Sequence, residues 1–459
     1  MTMWDPKLEK GKIPLHESIV EALSRDIDAG ILKPDERLPT HRKLAEQLGV
    51  SLGTVTKALN VATARGMIHG ETGRGTFIGN SAVRGFGVVG NGESKLIDMS
   101  RTWPLNALDP DIGFVLRAIE KSPERQQLLQ YQDNFGMDRH RRAGVQWISK
   151  LGLDVEPEQV VICAGVQHSI VVALSSLANP GDTVMAEELT YPGFKAAAQL
   201  LHLRVVGLSM DSEGIEPAAF EAACKQGKSR VLYCTPTIQN PTAATMSSER
   251  RKEIARIAST YGVSIIEDDV HRMLAADPPP SLAALYPENT YYIAGISKAI
   301  CGALRIAFLV PPVESVGMLA EHVWATTWMS SPLTAEVVCR WIEDGTADAT
   351  VLRKKNEASR RIKLAREILF NYPFRSSEAG YHIWIELPNR WRPDLFAREA
   401  VRRGVCVSPP DAFKVSHDDQ VNSIRVCLSS PWDEDALKLG LRRLRDTLDT
   451  SPGYGPILV

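Results

Sequence analysis

The order of apolar and polar positions gives the chain two different rhythms. Leu15, Ile19, Ala22, Leu23 and Ile27 recur at helical spacing, and the run closes at Gly30, a residue that ends helices because it accepts left-handed backbone. The next segment, LPTHRKLAEQLGV, offers Thr40 as an N-cap and a short helix closing near Gly49. Ser51 offers a second N-cap at the head of SLGTVTKALNVATARG, so a tight glycine turn joins two helices in a helix-turn-helix. MIHG and TFIG then read as two short strands around ETGRG, whose glycines suit a hairpin turn, which makes a wing.

After residue 80 the periodicity stops. The Gly-rich stretch over 81–94 reads as a linker between a first domain, 1–80, and a second, 95–459. Beyond it, short apolar runs (VVICAG, TVMAEE, RVVGLS, VLYCTP, VSIIEDD) alternate with longer helical stretches, the pattern of α/β units around a mainly parallel sheet. The sequence from about 341 to the end, including EAGYHIWIELP and SIRVCLSS, predicts a smaller α+β lobe. That lobe is completed by flanking segments, and the large lobe spans about 130–340.

Composition narrows the class. A chain of 459 residues, 44% hydrophobic and 24% charged, is that of a globular protein with a sizeable core and more than one structural unit. The formal charge of 53 − 55 = −2 excludes a global basic excess, so any nucleic-acid contact must be local. Seven scattered cysteines without a C-x-x-C pair argue against a disulfide framework or a zinc site. No apolar run approaches the length of a membrane span and the N-terminus lacks a signal-peptide pattern, so a cytoplasmic protein is expected.

Candidate chemistry clusters in the second domain. Lys298 sits between two strand-like runs; alone it reads as an ordinary solvated charge, but a lysine with a lowered pKa is an amine nucleophile suited to imine formation. Asp268, at the carboxyl end of VSIIEDD, lies where α/β sheets bind ligands and could hold a pyridine nitrogen protonated. Asn240 precedes Pro241, reading either as a plain turn or as an amide presented to a phenolate oxygen. Gly165, Val166 and Gln167 stand where a strand becomes a helix, a place for phosphate on free backbone N–H groups, and Arg305 can add a two-pronged contact.

In this order, with Tyr191 in TYPG and Ser297 beside the lysine, the set resembles the fold-type I aminotransferases over about residues 95 to 430. The resemblance implies pyridoxal 5'-phosphate as a Schiff base on Lys298, paired through its ring nitrogen with Asp268 and through its phenolic oxygen with Asn240. It implies Tyr191 stacked on the ring, and the phosphate held by Arg305, Ser297 and the backbone at Gly165, Val166 and Gln167. Tyr131 would reach the neighbouring subunit's phosphate in a homodimer, and Arg425 would clamp the carboxylate of a substrate or effector. The chain departs from the family where Val270 and His271 stand in place of the usual tyrosine, Ala243 in place of a glycine, and Gly295 in place of a serine; His271 is the candidate substitute for the tyrosine.

The first domain resembles the winged helix-turn-helix of GntR-type regulators, which implies contacts to double-stranded operator DNA from Arg42, Ser51, Thr54, Thr56, Lys57 and the wing's Arg74. The whole arrangement is similar to that of MocR-type transcription regulators. The expected function is transcriptional control in answer to an amino compound or to the cofactor itself, the alternative being a working aminotransferase with a DNA-binding head.

Overall fold

The computed structural model describes Trp4, Pro6 and residues 14–28, 31–32, 36–64, 67–71, 75–78, 96–227, 229–416 and 421–451. The chain divides into two compact units, Met1–Glu93 and Ser94–Val459. Gly30, Arg74 and the Gly-rich stretch over 81–94 lie outside the described residues.

The first unit holds three helices, α1 (Leu15–Asp28), α2 (His41–Leu48) and α3 (Leu52–Ala64), then β1 (Ile68–Glu71) paired antiparallel with β2 (Gly75–Ile78). The caps sit at the positions the sequence expects. The Thr40 side chain accepts from the Lys43 N–H at 3.4 Å, and Gly49 takes left-handed backbone with φ 64° to close α2. Ile19, Leu23, Leu44, Val55, Leu59, Ile68 and Ile78 form its core together with Trp4, whose indole donates to Asp26 at 2.8 Å.

The second unit is built on a seven-stranded sheet. Its strands in chain order begin with β3 (Ile97–Asp98), which lies outside that sheet, and continue with β4 (Val161–Cys163), β5 (Thr183–Glu187) and β6 (Arg204–Leu208). A short hairpin of β7 (Met210–Asp211) and β8 (Gly214–Ile215) precedes β9 (Val231–Cys234), β10 (Ser264–Asp268), β11 (Thr290–Gly295) and β12 (Ala307–Val310). The order across the sheet is β4-β12-β11-β10-β9-β5-β6, parallel throughout except that β12 runs against both its neighbours. All residues of β9 and β11 are buried, because both faces of the sheet are covered, and this is why these runs read as continuous rather than alternating apolar sequence. The carboxyl ends of the parallel strands share one edge, and that edge carries the candidate site.

The smaller lobe pairs β13 (Phe374–Arg375), β14 (His382–Glu386) and β16 (Ser423–Cys427) antiparallel. Beside them β15 (Val405–Cys406) runs parallel to β3. Its core joins Met99 to Ile362, Ile383, Phe396, Val426 and Leu441, so the segment that opens the second unit packs with the end of the chain. No described helix is long and apolar enough to cross a membrane.

Candidate functional site

Asp268 ends β10 with 3% of its surface exposed, which fixes its carboxylate at the sheet edge. Burial lifts its pKa to about 6, and the hydrogen bond that its Oδ2 accepts from the Tyr233 hydroxyl at 2.9 Å pulls the other way. Lys298 lies in the turn between β11 and β12. Burial lowers its pKa from 10.5 to about 8, so about a tenth of the amine is unprotonated at neutrality, far more than for a solvated lysine. Its Nζ donates to the Thr102 carbonyl. The turn itself is held from the side: Tyr381 donates to the Lys298 carbonyl at 2.8 Å, and Lys354 donates to the Ile300 carbonyl at 2.7 Å.

A cradle forms where β4 passes into the helix Val166–Leu177. Gly165 caps this helix at φ 85°, backbone that favours glycine, and a Cβ there would meet the end of the Arg305 side chain. Arg305, itself at φ 52°, donates through Nη1 to the Ser297 hydroxyl at 3.3 Å. Gly165, Ser297 and Arg305 thus meet at a helix N-terminus whose first N–H groups, those of Val166 and Gln167, have no intrahelical acceptor. The Gln167 side chain donates to the Gly193 carbonyl at 2.8 Å, and a Cβ on Gly193 would meet both Gln167 and the ring of Tyr191. Gly295 has the same logic: a side chain there would fall on Val166 and Val270, so Val270 fills the space a serine would need.

Asn240 and Arg425 are joined. Arg425 Nη1 donates to Asn240 Oδ1 at 2.6 Å, which leaves the Asn240 amide N–H₂ as a donor, and the guanidinium lies 4.6 Å over the Phe413 ring. His271 and His382 are buried with ring centroids 5.9 Å apart. Burial holds both below the ordinary histidine range, His382 at about 3, with Arg425 and Lys298 acting in the same direction, so both rings stay neutral. His382 bonds the Gln239 carbonyl through Nε2 at 3.0 Å, while His271 Nε2 is buried without a partner.

Lys298, Asp268, Asn240, Tyr191, Arg305, Ser297, Gly165, Val166, Gln167, His271 and Arg425 therefore frame one end of the sheet. Tyr131 instead is 80% exposed, with its ring tilted against Trp328 at 5.6 Å. Sequence reasoning missed Tyr233, Glu187 and His382. Glu187 ends β5 fully buried, accepts from the Thr235 N–H at 3.1 Å, and is lifted by burial to about 7. All three sit inside strands, where a polar residue in an apolar run was the available signal.

In the first unit Arg42, Ser51 and Lys57 are exposed and Thr54 and Thr56 half-buried, along the outer side of α2 and α3. Ser51 Oγ accepts from the Thr54 N–H at 3.1 Å and bonds the Thr54 hydroxyl at 2.8 Å, so these two cap the helix with the groups they would offer a phosphate. Exposed Asn60 follows Thr56 by one turn on the same side and extends the candidate face.

Residues 104–444 match the family "Aminotransferase class I and II", and residues 15–78 match "Bacterial regulatory proteins, gntR family". An uncharacterized HTH-type transcriptional regulator of Bacillus subtilis, YdeF, is 28% identical over 447 residues, covering 97% of each chain. The aromatic-amino-acid aminotransferase 1 of Thermococcus litoralis is 24% identical over 336 residues, 70% of this chain and 80% of that one. Among solved structures, an archaeal alanine:glyoxylate aminotransferase superposes with a TM-score of 0.70 at 25% identity, covering 76% of this chain and 90% of the other.

Proposed function

Because this chain belongs to the aminotransferase class I and II family and carries a gntR-family DNA-binding domain ahead of it, we propose that it is a MocR-type transcriptional regulator that senses an amino compound through pyridoxal 5'-phosphate. The observation that carries the reading is the conjunction in one chain of a capped helix-turn-helix with an exposed Arg42 and Lys57 and a sheet edge where Lys298, Asp268 and Arg305 converge.

The donor set fits the cofactor. The cradle at Gly165, left open because a Cβ would strike Arg305, suits a phosphate; a lysine lowered to about 8 suits an aldehyde; a buried carboxylate suits a pyridine nitrogen. When bound, the cofactor supplies an electron-accepting ring that takes amines at its aldehyde carbon. Lys298 would hold it, and Asp268 would keep a proton on its ring nitrogen. The Asn240 amide N–H₂ would donate to the phenolic oxygen, since Arg425 already occupies its Oδ1. Tyr191 would cover the ring, Ser297 and Arg305 would hold the phosphate with the N-terminus of the helix Val166–Leu177, and Arg425 would face a carboxylate. His271 would take the place of the family's tyrosine; it is neutral like a phenol, with a bare Nε2, but its side chain is shorter. Tyr131, exposed, is available to a second subunit in a homodimer.

An unprotonated Lys298 could equally act as a base in turnover, which is the aminotransferase reading. The test uses a fragment from the protein's own upstream region. The protein should retard it, and Arg42→Ala with Lys57→Ala should abolish the shift while leaving the visible band of lysine-bound cofactor intact. Multiple-turnover keto-acid formation from amino donors without specific DNA binding would reverse the assignment.

A further inference from the structure

The segment that opens the second unit gives its backbone to the site. Four successive carbonyls are taken: Met99 O accepts from the Cys427 N–H at 2.7 Å, Ser100 O from Arg425 Nη2 at 2.5 Å and from Ser408 Oγ at 2.8 Å, Arg101 O from the Ser430 hydroxyl, and Thr102 O from Lys298 Nζ. Upstream, the Ile97 and Met99 N–H groups bond Gly404 O at 2.9 Å and Cys406 O at 2.8 Å. The strap therefore leaves β3, crosses the end of β16 and finishes on the lysine.

Arg425 makes this more than packing. A guanidinium grips a carboxylate with two parallel N–H groups, either Nη1 with Nη2 or Nε with Nη2, so Nη2 belongs to both grips. Here Nη2 serves Ser100 O and, at 3.3 Å, Ser408 Oγ, one for each of its hydrogens. Nε is buried without a partner, a donor left open on the side-on grip. A two-pronged carboxylate can be seated only if it displaces Ser100 O or Ser408 Oγ from Nη2, and Ser408 Oγ is itself bonded to Ser100 O at 2.8 Å, so either displacement loosens the hold on Ser100.

We propose that residues 99–102 are a release strap: a carboxylate-bearing ligand and the Ser100 carbonyl compete for Arg425 Nη2, so ligand entry frees the stretch of chain that follows the linker. The inference rests on the sensing role proposed above and names its regulation. The ligand class is a small carboxylate, with or without an amine. Release is transmitted along the chain itself, since the first unit ends at Glu93 and the strap begins a few residues later.

The experiment uses the full-length, cofactor-loaded protein, with succinate and the common L-amino acids as probes and n-propylamine as the carboxylate-free control. Binding is measured by calorimetry and hydrogen exchange at Ile97 and Met99 by mass spectrometry. Probes that bind should speed exchange there by at least about tenfold, whereas n-propylamine should not. Thr102→Cys tests the link, because Thr102 Oγ1 lies 3.5 Å from Cys427 Sγ. Once oxidation joins the introduced thiol to Cys427 as a disulfide, the strap should exchange slowly with or without probe and bind probes at least about tenfold more weakly, with reduction restoring both. Ser430→Ala, which removes only the Arg101 contact, should tighten probe binding several-fold. The proposal is overturned if a bound probe leaves exchange unchanged, if no probe binds, or if both variants bind as the wild type does. Failure of the upstream fragment to shift under any condition would overturn the regulator reading instead, leaving the exchange result to stand.

Discussion

At the scale of single residues, the site end of the sheet is crowded with buried acid. Burial raises Asp268 to about 6 and Glu187 to about 7, and the repulsion between the two adds to the shift of Glu187. A carboxyl group whose pKa is raised by folding contributes stability that is complete below its unfolded value, near 4.5 for Glu187, and is lost as pH climbs through about 7. Above that pH its ionised form is a net cost. Glu187→Gln keeps an acceptor for the Thr235 N–H and removes the charge, so the variant should be more stable than the wild type at pH 8, by on the order of 1–3 kcal/mol, with the gain gone by about pH 4. Thermal unfolding at the two pH values checks this. An equal effect at both, or a loss at pH 8, would show that Glu187 is compensated by something other than protonation. The sequence did not single out Glu187, because TVMAEE presents two adjacent acids that look alike. Only the structure separates them: Glu187 is the buried last residue of β5, and Glu188, just beyond the strand, is half-buried. Lys298, Asp268 and Arg305 were readable only as an ordered set, because each alone reads as an ordinary solvated charge in a turn or at a strand end.

Among elements, the helix-turn-helix was legible almost residue by residue, since caps and glycine turns are local: Thr40, Gly49 and Ser51 do in the structure what their chemistry suggests. The sheet was legible only as a class. That β12 lies antiparallel between β4 and β11 follows from pairings such as Phe308 with Ile162, far apart in sequence, and nothing in IAFLV announces its direction. The strap was invisible, because its action resides in carbonyl oxygens that every residue possesses. For the helix face the local reading yields a measurable slope. Lys57 projects from α3 with an exposed side chain, as a phosphate-contacting residue would. Lys57→Ala should weaken binding to all DNA sequences alike and reduce the slope of log affinity against log salt by about 1. A change in sequence preference at unchanged slope would instead make Lys57 a base reader.

On the scale of the whole molecule, each unit has its own core: Leu23, Leu44, Val55 and Leu59 in the first, and in the second several clusters around the sheet and the smaller lobe. A ligand stabilises only what it binds in the folded state. Pyridoxal 5'-phosphate held on Lys298, as proposed, would act within the second unit, so calorimetry should resolve two transitions, of which the cofactor raises only the larger. At a free concentration about a hundred times its dissociation constant the stabilisation amounts to roughly 2.7 kcal/mol, and Lys298→Ala should erase most of it while the smaller transition stays where it was. If both transitions rose together with cofactor, the units would be one cooperative body, and sensing would need no strap to carry it. If only the larger rises, communication between site and DNA-binding head must run through a specific connection, and the chain leaving Thr102, Ser100 and Met99 toward the linker is the covalent one.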